Sequence, residues 1–188
     1  MQDATATTPS APAPARFALH ALTYGGIAGV LGGGLMIGEY ALAQSAEHAE
    51  IVRWTFIAAM IIPISAVILG MTSWRNRYLG GRIRFVQAFG MALAIGLAFS
   101  LVVAGAAWVH ATKIHPDLIE KSIDQWAILA AQQPEARPDD IAKQAEEYRQ
   151  TTTPVVYAQD RFSRSLMLSF FIGLIASITV PKKRPGLE

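Results

Sequence analysis

The side chains best suited to chemistry in this sequence gather in two places. His110, His115, Asp117 and Glu120 follow one another closely, and they are the residue types of a two-His, one-carboxylate metal set. Five-residue spacing does not put two histidine rings on one face of a regular α-helix, so no metal site is expected and these groups read as solvated polar residues. The second place is a polar cluster at the outer rim of a membrane: Glu39, Arg53, His110, Arg161 and Arg164 all fall at the edges of long apolar stretches. Ionisable groups close to a bilayer are candidates for function. A structural ion pair of Glu39 with Arg164 or Arg161, with Arg53 as the rival partner, is the simpler account. The chain has no cysteine, which removes thiol catalysis, disulfides and Cys-ligated zinc. It has no Ser-His-Asp arrangement, no HExxH and no phosphate-cradling loop. No catalytic residue and no cofactor is therefore assigned, and the reading leans away from an enzyme.

The elements that must position these groups are apolar helices. Of 188 residues 52% are hydrophobic and only 16% charged, below the roughly 25% of an average soluble domain. Four segments, about 17–38, 54–71, 89–109 and 165–180, approach or exceed the ~20 apolar residues needed to cross the hydrocarbon core. The fourth is short, and its helix is expected to start earlier, with Arg161 and Arg164 snorkelling to the head groups. The expected fold class is all-α: a polytopic membrane protein of four transmembrane helices. A small helical extramembrane segment, 110–164, lies between the third and fourth.

Charge placement predicts orientation. Arg75, Arg77, Arg82 and Arg84 crowd the connection between the second and third spans, and Lys182, Lys183 and Arg184 follow the fourth. Short Arg-rich flanks stay cytoplasmic. With Arg16, one side carries eight basic and two acidic residues, against eight basic and twelve acidic on the other. Both termini are expected inside a bacterial inner membrane, and the four loop arginines should contact anionic lipid. The pI near 9.0 thus reflects topology, and no nucleic acid is expected as a partner. Tyr40, Trp54 and Trp108 are expected to anchor at the outer interface, Trp74 and Tyr78 at the inner one. Residues 1–16, rich in Ala, Thr and Pro, read as a disordered cytoplasmic tail, and 181–188 as a basic one. Ala41-Leu42-Ala43 has the form of a signal-peptidase site; the length of the preceding apolar stretch and Glu39 argue against cleavage.

Packing signals are the strongest. Gly25, Gly29 and Gly33 recur every four residues in the first span, with Gly34 and Gly38 a second pair. Ala88, Ala92, Gly96, Ser100 and Ala104 form a ladder in the third, and Ser165, Ser169, Gly173 and Ser177 one in the fourth. Small residues at this spacing let helix backbones approach in lipid. Contacts within the bundle are preferred over a dimer interface. Pro63 should kink the second span. In the extramembrane segment Pro116 opens a helix with an apolar stripe of Ile119, Ile123, Trp126 and Ala130, and a second helix starts near Pro138. Two short helices bury little core alone and should lie on the bundle or on a partner.

The run Asn76-Arg77-Tyr78-Leu79-Gly80-Gly81 after an arginine leads into Phe85, Ala88, Phe89 and Gly90. With His115-Pro116-Asp117, Pro154 and Gly173-Leu174 before a basic tail, it resembles a bacterial membrane-protein family known as domain of unknown function 4199. The resemblance spans about Tyr24 to Arg184. It implies a four-helix inner-membrane protein without an assigned activity, so no functional residue is carried over.

Three functional classes follow, in order. An accessory or scaffold component of the bacterial envelope needs only anchoring spans and a presenting surface. A small transporter or channel subunit should show polar groups at mid-membrane, where only hydroxyls such as Ser65 and Ser100 stand. A lipid-modifying enzyme has only the Glu39, His110 and Arg164 region in which to build a site. The expected partners are membrane lipids, and another envelope protein or a second copy of the chain.

Overall fold

The computed structural model describes residues 14–43, 49–133 and 137–179, the side chains of 42–53 excepted. The described residues form α1 (Pro14–Ala43), α2 (Ala49–Tyr78) and α3 (Phe85–Val109), a π turn (His110–Ile114), then α4 (Leu118–Ala131), α5 (Pro138–Thr151) and α6 (Pro154–Thr179). There is no strand among them. Helices α1, α2, α3 with its π turn, and α6 are each long and apolar enough to cross a membrane. At ~1.5 Å per residue they reach about 39–45 Å, longer than the ~30 Å hydrocarbon layer. The protein is an all-α, multi-pass membrane protein. Its helices run beyond the apolar cores read from sequence; α6 begins at Pro154, well before Ser165.

Helix α3 is the centre of the bundle, packed against α1, α2 and α6. Two of its faces are read by small residues of different helices. On one, Gly96 meets Ser169 and Ala92 meets Gly173 of α6; a methyl on Gly96 would lie 2.5 Å from the Ser169 Cβ, and one on Gly173 2.9 Å from the Ala92 Cβ. On the other, Gly25 sits against the Ile95 carbonyl, while methyls on Gly29 and Gly33 would lie 2.5 Å from the Val102 Cβ and 2.7 Å from the Ala106 Cβ. Gly34 and Gly38 of the second expected pair face open space. Ser177 is buried and bonds its hydroxyl to the Gly173 carbonyl of its own helix at 2.5 Å. Helix α2 continues through the buried Pro63.

At one end of the bundle the chain turns through Gly80 and Gly81, both with positive φ (59° and 81°), which glycine adopts without steric cost. Ile83 is buried and plugs this loop into the core, and the Gln87 side chain accepts the Arg84 N–H at 3.1 Å to cap α3. Arg77, Arg82 and Arg84 are exposed there; Arg75 is half-buried and donates to the Asn76 side chain at 3.0 Å. Trp74 does not anchor at an interface. It is 3% exposed, packed between Phe17, His20 and Tyr78, and the His20 Nε2–H donates to the Gly70 carbonyl at 2.9 Å. A ring flanked by three others gains more apolar and aromatic contact buried in the bundle than it would at the head groups.

At the other end α4 and α5 form a hairpin. Arg149 of α5 bridges Glu120 (2.8 Å) and Asp124 (2.9 Å) of α4, and Trp126 meets Tyr148 edge-on at 5.1 Å. Leu118 and Ile123 are buried, tying the start of α4 down. Ile128 and Leu129, outside the expected stripe, are exposed.

Candidate functional site

The hairpin end holds a cavity of about 500 Å3 between the four long helices, roofed by α4. Its floor and sides are apolar: Met36 of α1, Phe56 and Met60 of α2, Phe99 and Val103 of α3, and Leu168 of α6. Its polar wall is made by Glu39 and Tyr40 of α1, His110 of the π turn, and Tyr157, Arg161 and Arg164 of α6. Four of the five residues of the expected rim cluster therefore line one space. The fifth, Arg53, lies outside the described side chains.

Each polar group is held there for a local reason. Pro116 pushes His115 out of helical geometry (φ −134°, ψ 82°), and α3 ends in a widened turn closed by the His115 N–H donating to the His110 carbonyl at 2.8 Å. An i→i+5 turn puts residues five apart on the same face, so the two rings lie 5.3 Å apart, contrary to the α-helical expectation. The Tyr40 ring contacts both, at 5.1 Å from His110 and 4.9 Å from His115. Helix α6 starts at Thr153-Pro154, where the threonine hydroxyl accepts the Val156 N–H at 3.3 Å and the proline occupies the first turn. One turn on, Tyr157 receives Arg161: the guanidinium lies 5.2 Å from the ring centre and donates to the phenol oxygen at 3.3 Å. Arg161 thus turns into the bundle, where snorkelling towards head groups was expected.

The expected ion pair of Glu39 is not formed among the described residues. Arg164 bonds Asp160 on its own helix at 2.8 Å, a partner one turn away that needs no second helix. Glu39 and Arg161 are both half-buried, and neither has an opposite charge within ion-pair distance among the described residues. Four further polar atoms are buried without a partner on this wall: both nitrogens of His110, the Tyr40 hydroxyl and the Arg161 Nε. Asp117 is drawn to Lys121 at 2.6 Å and Glu120 to Arg149, away from the histidines. Among the described residues no three His, Asp or Glu side chains are arranged to hold a metal ion. The wall offers one carboxylate, two guanidiniums, of which Arg164 is already paired with Asp160, one imidazole and two phenols, a set for binding a polar group.

A family model described as "protein of unknown function (DUF4199)" matches residues 23–182. The chain belongs to the DUF4199 family. No curated protein and no solved structure matches it.

Within this DUF4199 chain the cavity residues that the sequence left unassigned are Tyr40 and Tyr157, and His115 stands behind them, its ring against Tyr40 and His110. Tyr40 reads as an interfacial ring because it ends an apolar stretch. Tyr157 lies in a segment whose helix starts earlier than its apolar composition does. The signal for His115 is present, a five-residue histidine spacing ending at a proline, and becomes legible only once a π turn is admitted.

Proposed function

We propose that the protein is an accessory or scaffold component of the bacterial cell envelope, set in the inner membrane with both termini cytoplasmic, and that it holds a ligand in the hairpin-end cavity. The observation that carries this reading is His110: its side chain is 1% exposed, lines the cavity, and has neither ring nitrogen bonded. A buried polar group without a partner costs about 1–3 kcal/mol, so four such atoms in one wall favour a bound polar group that their side chains can turn to meet. A volume near 500 Å3 falls in the range of about 300–1,000 Å3 in which proteins enclose small ligands. The orientation rests on the exposed Arg77 in the last turn of α2 and Arg82 and Arg84 in the short loop after it, which leaves the cavity and the hairpin outside.

The transporter reading has less support. Between the two bundle ends the core is Met71, Met91, Ile95 and Phe99, and its buried hydroxyls are Ser100, which donates to the Gly96 carbonyl, and Ser169, packed on Gly96. Among the described residues these make no polar path across the bundle. Native mass spectrometry of protein extracted in mild detergent tests the ligand. A bound small molecule is expected on the parent and not on His110→Phe or Arg161→Leu; a bare mass for folded parent protein would refute the reading.

A further inference from the structure

The chemistry of the ligand can be read from the charges it must satisfy. Glu39 and Arg161 bring to the same cavity, from helices α1 and α6, one charge of each sign that has no ion-pair partner among the described residues. A simple anion would match Arg161 and leave the half-buried carboxylate beside a second negative charge. A simple cation would do the reverse. Only a ligand carrying both charges leaves neither uncompensated, and an uncompensated charge in a poorly hydrated place is the costly outcome.

The rest of the cavity says how large and how apolar that ligand is. Met36, Met60 and Leu168 lie deeper along their helices than Glu39, the start of α2 and Arg164, and Phe56, which also lines the cavity, is 65% exposed on the apolar outer surface of α2. The cavity is therefore polar at the hairpin end and apolar towards the lipid, the gradient of an amphiphile standing in a leaflet. His110 and Tyr40 add an imidazole and a phenol to the same wall, each able to turn a donor or an acceptor to a ligand. These fit ester and phosphate oxygens on one side and an ammonium on the other.

We propose that the cavity binds a zwitterionic aminophospholipid, Arg161 holding the phosphate and Glu39 the primary ammonium, with the acyl chains leaving past Phe56 into the bilayer. This rests on the ligand-holding reading above and names its ligand class. A trimethylammonium headgroup has no N–H to give Glu39, and a glycerol headgroup has no positive charge for it. Charge-assisted hydrogen bonds of this kind are strong enough for at least about tenfold discrimination.

The test is competitive lipid binding to the purified full chain in mixed micelles, read by native mass spectrometry, with phosphatidylethanolamine, phosphatidylglycerol and phosphatidylcholine of identical acyl chains. Phosphatidylethanolamine should be retained at least about tenfold more strongly than either competitor. Glu39→Gln should abolish that preference while phospholipid still binds, and Arg161→Gln should weaken all three lipids. If a variant does not fold, stepwise N-methylation of the headgroup asks the same question of the parent, where retention should fall once the last N–H is removed. Soluble phosphoethanolamine should compete poorly, and competition as strong as that of the lipid would overturn entry from the bilayer. Equal retention of the three lipids, or a preference that survives Glu39→Gln, would overturn the proposal. A non-lipid adduct with no lipid preference would overturn it and leave the ligand-holding reading standing, whereas no adduct of any kind would remove both.

Discussion

His110 and His115, five residues apart, lie with their rings 5.3 Å from each other because the last turn of α3 is a π turn. Regular α-helix at this point would rotate His115 away from His110 and from Tyr40. The widened turn gathers the three rings, and it occurs where Pro116 has already made continued α-helix unfavourable. π turns of this kind are frequent at functional sites.

The first prediction concerns the buried imidazole. His110→Phe removes two unpartnered polar atoms and keeps a planar ring against Tyr40. In protein stripped of lipid it should raise stability by about 1–3 kcal/mol, seen as a higher melting temperature in detergent. In membranes the same change should lose the bound ligand. Lower stability of the stripped variant would mean that the nitrogens are satisfied in the empty protein.

Glycines of one helix should separate sharply. Gly25→Ala drives a methyl into the Ile95 carbonyl and Gly29→Ala one into Val102, and each should cost about 1–3 kcal/mol. Gly26 and Gly34 face open space, so their alanine variants should be neutral or gain up to about 1 kcal/mol of helix propensity. Melting in detergent across the four variants reads the difference, and equal behaviour would contradict the packing of α1 on α3.

Topology is open to a clean chemical test, since the chain has no cysteine to remove. Gln133→Cys, after α4, should react with an impermeant thiol reagent in intact spheroplasts, and Asn76→Cys, in the arginine-rich end of α2, should react only after permeabilisation. Labelling of Asn76→Cys in intact cells would reverse the proposed orientation.

The hairpin should respond to acid at its start. Lys121 hydrogen-bonds Asp117 and holds its carboxyl below the ordinary value near 3.8. A depressed folded pKa means that this contribution is full above the unfolded value and fades as pH falls through the folded one. Amide exchange at the first turn of α4 should therefore accelerate, relative to the rest of the hairpin, only below about pH 4, and Asp117→Asn should remove that pH dependence. Arg149, whose positive charge Glu120 and Asp124 stabilise, stays protonated across that range.

Much of the fold is legible without coordinates because lipid imposes simple rules. Stretches such as Phe89–Val109 have to be helical in hydrocarbon, and small residues at four-residue spacing mark where helices meet. The composition around Arg75–Arg84 and the apolar stripe from Ile119 to Ala130 likewise announce a loop and a hairpin helix. Which helix meets which ladder is not in the spacing. Gly25, Gly29 and Gly33 pack on α3, while Gly34 and Gly38, equally spaced, face open space, because a helix has several faces and only assembly selects one. The partner of Arg164 was decided the same way, by Asp160 one turn along its own helix and not by Glu39 at a similar depth. The cavity itself belongs wholly to the tertiary structure. Tyr40, His110 and Arg161 come from three elements separated by long apolar runs, and sequence distance carries no information on whether a shared space opens between them or which of their polar atoms it leaves without a partner.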